Sequence, residues 1–339
     1  MTTNADPTRI SWYRTPVNRE TLAKLNSRSD GLGFVQVLGH LATLALTGGL
    51  ALYGVGRWPW FAVALMVFAH GTVAAFVINA VHELDHQSVF RTASLNRVFV
   101  RVFAFIGWIN YEHFYISHVR HHQFTLYPPD DLEVVLPIHL TLRQFFLTGF
   151  LNFRGSYDQF RVILRHARGK FVGEWELALY PAGQPEKARP VIRWGRVLLV
   201  GHSVVLVLSL AWGMWLVPVL VSLTPLYGGW LFFLCNNTQH IGLQDRVPDF
   251  RLCCRTFTVN PVVGYLYWHM NYHTEHHMYA AVPCYRLGML HRAIRHELPP
   301  TPHGLLATWR AIAAILKRQV EEPGYQHIVP LPSEGAAVS

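Results

Sequence analysis

The sequence predicts an all-α integral membrane protein with four transmembrane helices in two hairpins and a helical cap on the cytoplasmic side. Three observations predict it. The 339 residues are 51% hydrophobic and only 14% charged, more apolar than a water-soluble domain of ordinary composition. Three stretches, 31–56, 58–82 and 197–244, carry no Asp, Glu, Lys or Arg. A charge at the bilayer centre costs about 2.5 kcal/mol or more, so such stretches mark where the chain can cross. The positive charges are also one-sided: of 29 Lys and Arg, only Arg57 falls in an expected outer loop. By the positive-inside bias, both ends of each hairpin lie in the cytoplasm, as expected of a bacterial inner-membrane protein.

Each element follows in order. Residues 1–30 are polar and charged and hold no short apolar h-region with a cleavage site, so they form a cytoplasmic segment and targeting is expected to reside in the first span. The membrane domain is expected over 31–300. Its first two apolar runs each exceed the roughly 20 residues that one crossing needs, giving spans near 33–55 and 60–81. The third run, 48 residues long, is far more than one crossing requires at about 1.5 Å per residue. It is expected to be a hairpin of spans near 197–217 and 222–240, turning near Pro218 to Pro225. Between the hairpins, VFVRVFAFIGW (98–108) and RQFFLTGFLNF (143–153) are too short or too charged to cross, and are expected in the membrane interface or packed on the cap. The segment 301–339 is expected to be an amphipathic helix, with Leu305, Trp309, Ile312 and Leu316 on one face, and then a loose tail over the last dozen residues.

The charge balance of +9 and pI near 9.6 come from residues spread over the cytoplasmic segments. That distribution suits anionic lipid headgroups and gives no stripe for nucleic acid. Cys235, Cys253, Cys254 and Cys284 form no C-x-x-C pair and no disulfide framework, as suits a reducing compartment.

Half of the 20 histidines fall in patterns. HELDH holds His82 and His86; HVRHH holds His118, His121 and His122; HTEHH holds His273, His276 and His277, with His269 four before His273; and in NNTQH, Asn236 precedes His240 by four. Residues three and four apart share a helix face, so each cluster presents two or three imidazoles side by side. His82 and His86 lie at the cytoplasmic end of span two and His240 at that of span four, and the triple clusters lie in cytoplasmic segments, so all can meet on one face of the bilayer. Nine imidazoles exceed the four ligands of zinc and the six of an octahedral ion, which makes the cap the holder of a di-metal site. Read alone, HELDH is the mark of a zinc peptidase with Glu83 as general base; that reading leaves both H-x-x-H-H clusters without a role. An all-imidazole pair suits iron that changes oxidation state and activates O2.

These boxes, HELDH, HVRHH and HTEHH, in this order and with a transmembrane hairpin between the second and third, resemble those of membrane fatty acid desaturases and related hydroxylases. The run NYHTEHHMYAAVPCYRLGMLHRAI (271–294) is similar to the third-box segment of acyl-lipid desaturases. The resemblance covers roughly residues 30–300. It implies a four-span bundle and a di-iron centre with His82, His86, His118, His121, His122, His240, His273, His276 and His277 as ligands and Asn236 acting through a water. It also implies O2 as co-substrate and double-bond formation in a fatty acyl chain, with hydroxylation, ketolation or alkene-forming decarboxylation of a lipid as alternatives. The first box has three residues between its histidines where many acyl desaturases have four, a form shared with sphingolipid and carotenoid branches. No Rossmann fingerprint, haem segment or cysteine cluster is present, so electrons are expected from an external ferredoxin-like carrier with its reductase, drawn to the basic face.

Other residues carry weaker expectations. His40, His70 and His202 lie inside spans, where bonding to a neighbouring helix accounts for them. His269 supports His273 or simply packs. Asp85, Asp131, Glu275 and Glu83 are candidates to orient ligand rings through the non-ligating nitrogen. Trp108, Tyr111, Trp268 and Tyr272 are candidates to line a substrate tunnel.

Overall fold

The computed structural model describes residues 9–332, and the expected loose tail falls largely outside the described residues. The chain is helical; among the described residues, β pairing is confined to isolated bridges such as Tyr13 with Asp249. After a short helix α1 (Arg19–Leu25), α2 (Asp30–Gly54) starts where Ser29 accepts a hydrogen bond from the Leu32 N–H. Gly33, Gln36, Val37, His40, Leu44, Gly48 and Ala51 make its buried stripe at helical spacing. The opposite face is apolar and open, with Val35 65%, Leu46 62% and Tyr53 58% exposed. A helix apolar on its uncovered side is built for a lipid surround.

The rod Trp60–Asp85 returns alongside α2. It consists of α3 (Trp60–Ala74) and α4 (Val77–Asp85), divided by one tight turn in which the Phe76 N–H reaches the Val73 carbonyl. Then come α5 (Ala93–Ile106) and α6 (Tyr111–Phe124). Residues 142–150 form a short helix and a wide turn before α7 (Phe153–Ala167). This region leaves Leu142, Phe146, Leu147, Phe153 and Tyr157 exposed, as expected of chain lying in an interface.

The third long helix, α8 (Pro185–Ala211), starts twelve residues earlier than the span expected from 197 and ends six before 217. Its first turns carry Arg189, Arg193 and Arg196 and pack on α7, where Gly195 lets the backbones meet: a Cβ there would lie 3.0 Å from the Ala167 nitrogen. It ends where Gly213, at φ +69°, adopts the left-handed turn, with the Met214 N–H on the Ser209 carbonyl and the Gly213 N–H on the Leu210 carbonyl. This is a Schellman stop, available to glycine at little cost. The turn therefore lies at 212–215, ahead of the expected Pro218 to Pro225.

The fourth expected span, 222–240, is not one helix. The chain descends along α3 in pieces, Leu216–Val221, Thr224–Leu226 and α9 (Trp230–Asn236). Leu216 and Leu220 pack near Val63, Met66 and Val67, the Trp230 Nε1–H donates to Thr72 Oγ1 at 3.2 Å, and Phe232 meets Phe76 edge-on. Pro218 and Pro225 lack the N–H a continuous ladder needs, and Gly228, at φ +77°, is pressed so close to Gly71 and Thr72 that a Cβ would sit 2.5 Å from their backbone. Three helices, Asp30–Gly54, Trp60–Asp85 and Pro185–Ala211, are long and apolar enough to cross a membrane.

Three further helices close the histidine end: α10 (His273–Met278), α11 (Leu287–Ile294) and α12 (Gly304–Glu321). The buried stripe of α12 is Thr308, Ile312, Ile315 and Gln319, one position round from the expected face, with Leu305, Trp309 and Leu316 half-buried on its flank. One core runs through α4, α5, α10 and α11, including Phe76, Val81, Leu84, Phe103, Trp268, Met278 and Leu290.

Candidate metal centre

The boxes meet because three helices end or lie at one place. His82 is in the last turn of α4 and His86 caps it; α6 carries His118, His121 and His122 on successive turns; α10 carries His273, His276 and His277; His240 sits in the turns after α9. Ring centroids of His82 and His276, from the first and third boxes, are 4.5 Å apart, and those of His82 and His118 4.4 Å.

Two adjoining groups result. In one, His82, His86, His118, His122 and His276 bring one ligand atom each within 4.8 Å of all the others; in the second, His240, Cys254, His273 and His277 do the same. His121 lies against the second, with ring centroids 5.3 Å from His240 and 5.0 Å from His277. The groups touch where His122 and His277 stack at 4.3 Å.

The nitrogens face one another in a way that protons alone do not satisfy. His122 Nε2 is 3.0 Å from His118 Nε2 and 3.2 Å from His276 Nε2, and His273 Nε2 is 2.9 Å from His240 Nε2 and 3.1 Å from His277 Nε2. An imidazole nitrogen has one proton or one lone pair to offer, not both. Two nitrogens at right angles about an ion with metal–nitrogen bonds of about 2.0–2.1 Å would be about 3 Å apart, which is the spacing observed. His86 Nε2 is buried with no hydrogen-bond partner among the described residues. The residues present therefore fit a pair of transition-metal ions.

Four rings turn their other nitrogen to an acceptor, which fixes ring orientation in metal-binding histidines, whereas His273 Nδ1 and His276 Nδ1 are buried with no hydrogen-bond partner among the described residues. His82 Nδ1 is 3.0 Å from Glu83 Oε1, His118 Nδ1 2.8 Å from Glu133 Oε1, His121 Nδ1 2.8 Å from Asp131 Oδ2, and His240 Nδ1 2.8 Å from the Cys253 carbonyl. Asp131 is itself held by the Leu126 and Glu133 N–H groups, and Glu133 accepts from Ser117, to which the Trp175 indole donates. Burial holds His118, His122, His273, His276 and His277 well below the ordinary imidazole range and brings His86 and His240 to about 3, so these rings are neutral, the ligating form. His121 differs: burial pushes it down, but the Asp131 hydrogen bond and charge outweigh that and raise it.

The other candidate residues sit in varied surroundings. Glu275 orients no ligand ring; it accepts from Thr256 and pairs with His291. Asp85 is buried, its Oδ2 without a hydrogen-bond partner among the described residues. His269 is half-buried and belongs to neither group. Asn236 ends α9 one turn before His240, partly buried. Of the four aromatic residues, Trp108 lines a cavity, whereas Tyr111 packs on Trp194, Trp268 on His40 and Phe103, and Tyr272 on His291. Glu133 and the Cys253 carbonyl were missed, since neither lies in a box and only the fold carries them to a ring. Cys254, without a role in the sequence, joins the second group; burial pushes its thiol well above the ordinary range.

A helical chain with three membrane-length apolar helices and two adjoining imidazole groups is a membrane protein with side chains placed as metal ligands are. The family model for fatty acid desaturases matches residues 56–309, which span every histidine of the centre; the chain belongs to that family. A comparison with curated proteins finds no match.

Proposed function

We propose that this protein is an O2-dependent di-iron oxidoreductase that introduces a double bond into a fatty acyl chain. His82, His86, His118, His122 and His276 would hold one iron, and His121, His240, His273 and His277 the other, with Asn236 acting through a water. The observation that carries this reading is the convergence of nine imidazoles, four of them tied outward to acceptors, with Nε2 atoms facing one another at 2.9–3.2 Å within each group. Bound iron would supply activation of O2 and removal of hydrogen from an unactivated methylene. The protein's own part is to keep the rings neutral and oriented, exclude water, and hold the chain at a fixed distance, since small displacements decide the outcome of such chemistry.

The broken fourth segment supports a place for that chain. Irregular backbone at membrane depth is tolerated where it is buried in protein or lines a cavity. Here it walls a cavity of about 290 Å³ with Thr224, Tyr227, Phe232 and Phe233, opposite Val77 and Ile78. Ile78 lies one helical turn before His82 and the lining Asn237 three residues before His240, so an acyl chain there would end beside the centre. A second cavity of about 270 Å³, lined by Trp108, Tyr157 and Phe160, shares the walls Gln159 and Pro225.

Glu83 argues against the zinc peptidase. A general base faces the metal-bound water, whereas Glu83 is fully buried with Oε1 on His82 Nδ1, the outward side of the ring. The three-residue spacing of the first box keeps a lipid hydroxylase, ketolase or decarboxylase as the second reading. Electrons would come from a ferredoxin-like carrier, and the centre would face the cytoplasm. The test is expression in a host supplying ferredoxin and its reductase, with iron analysis and gas chromatography of the lipids. About two irons per chain and a new unsaturated acyl chain are expected. A hydroxylated or shortened product would move the assignment to the second reading, and an unaltered lipid profile from a chain that binds no iron would overturn it.

A further inference from the structure

The N-terminal arm crosses the histidine end of the molecule and sets one indole over the junction of the two groups. Trp12 stacks on Phe250, centroids 4.2 Å apart and planes 10° from parallel. Phe250 is fully buried, and its ring lies 5.3 Å from that of His277. The Trp12 Nε1–H donates to the Gln123 carbonyl at 3.0 Å, the residue that follows His122, and His122 stacks on His277 where the groups meet. Trp12 is itself only half-buried. Two aromatic steps thus connect the surface to the middle of the centre.

The surface around it is basic. Arg9, Arg14 and Arg246 are exposed; the Arg246 N–H donates to the carbonyl of Leu126, next to Tyr127, whose ring meets Trp12 edge-on at 5.8 Å. The nearby carboxylates are engaged within the protein: Asp249 pairs with Arg251 at 2.7 Å, Glu297 accepts from Tyr13 at 2.6 Å and faces Arg251 at 3.8 Å, and Asp245 accepts from Gln326 at 2.6 Å. Arg9, Arg14 and Arg246 form no ion pair among the described residues, and exposed arginines attract an acidic partner and speed its encounter.

We propose that this face docks a small acidic one-electron carrier and that Trp12 and Phe250 carry its electron to the His277 side of the centre. The inference rests on the oxidoreductase reading above. Electron tunnelling falls steeply with the gap to be crossed, and stacked rings shorten that gap. Each reduced carrier gives one electron and is oxidised; two bring two ferric ions to ferrous, no bond is made or broken in the protein, and Trp12 ends unchanged.

The test loads the full chain with ferric iron and mixes it anaerobically with reduced plant-type [2Fe–2S] ferredoxin, following reoxidation of the ferredoxin by stopped-flow absorbance. Trp12→Leu is expected to slow transfer at least 10-fold, and Trp12→Phe, which keeps a ring, less than 3-fold. Arg14→Glu with Arg246→Glu is expected to flatten the salt dependence. Iron content and reduction by dithionite, which needs no docking face, are expected to stay at wild-type values. Transfer through Trp12→Leu at the wild-type rate overturns the proposal, as does a wild-type chain reducible by dithionite but not by ferredoxin. If Trp12→Leu loses iron, the charge reversals decide, an unchanged salt dependence being the overturning result. A chain that takes up no iron defeats the underlying reading instead, and shows it before any carrier is added.

Discussion

The histidines of the centre and the three within the long helices are the same side chain in two settings. His40 has Nε2 on the Val73 carbonyl at 3.1 Å and accepts from the Trp268 indole at 2.9 Å. His70 joins Thr47 and the Leu220 carbonyl, and His202 joins Ser222 and the Phe105 carbonyl. Every nitrogen in that set has a partner from another segment, so these rings tie elements together and have nothing left to offer. In the centre each tied ring spends one nitrogen outward and turns the other toward its neighbours. What separates a ligand from a strut is where the second nitrogen goes.

The largest effect should come from breaking the ligand side of that comparison. His121→Ala or His276→Ala is expected to lower bound iron to one per chain or less and product by about 100-fold or more, since an activated site loses most of its rate with any member of its unit. Iron analysis beside lipid chromatography checks it. Retention of both irons and of activity would place the substituted ring among the struts. Next are the acceptors behind the rings: Asp131→Asn and Glu133→Gln leave the imidazoles but loosen their orientation and basicity, and are expected to weaken metal binding about 10–100-fold. Competition with a chelator of known affinity measures this, and an unchanged affinity would mean that packing alone orients His118 and His121.

The struts should respond in the opposite way. His202→Ala leaves the Ser222 hydroxyl without its partner, leaves the Phe105 carbonyl with the Trp108 N–H alone, and removes the stack on Trp108, 4.0 Å away. It is expected to cost about 1–3 kcal/mol of stability, read as a lower thermal midpoint in detergent, while two irons stay bound. Loss of metal from this variant at a temperature where it is folded would erase the distinction.

How far these settings were legible follows from the same argument. Box spacing reports which imidazoles share a helix face, so His118, His121 and His122, and His273, His276 and His277, were visible before any fold, and charge-free runs located the first two long helices. Sequence does not report partners brought from elsewhere. Glu133 reaches His118 only because the chain after α6 folds back, and Glu275, inside a box, turns to Thr256 and His291 instead. The break at 216–236 escaped for a different reason: hydropathy counts apolar residues and is blind to Gly228 needing backbone contact with Gly71 and Thr72.

A third setting sharpens the comparison at its smallest effect. His113 and His166 lie 4.8 Å apart, away from the centre, and here the inward place is filled: His166 Nε2 is 3.2 Å from Glu176, and His113 Nδ1 2.8 Å from the Tyr180 hydroxyl. Burial would raise the Glu176 pKa, but the hydrogen bond from His166, the Val172 N–H and Arg165 together bring it from an ordinary 4.5 down to about 2. A carboxyl depressed on folding stabilises the protein above its unfolded pKa and loses that contribution as pH falls through the interval toward the folded one. Between pH 4.5 and about 2, then, the wild-type protein should lose stability that Glu176→Gln never had. Thermal midpoints measured down this range should converge, with Glu176→Gln the lower of the two near neutrality and its iron content unchanged. Parallel midpoints across the range would show that Glu176 is no better held in the folded chain than in the unfolded one, and that this histidine pair is ordinary packing.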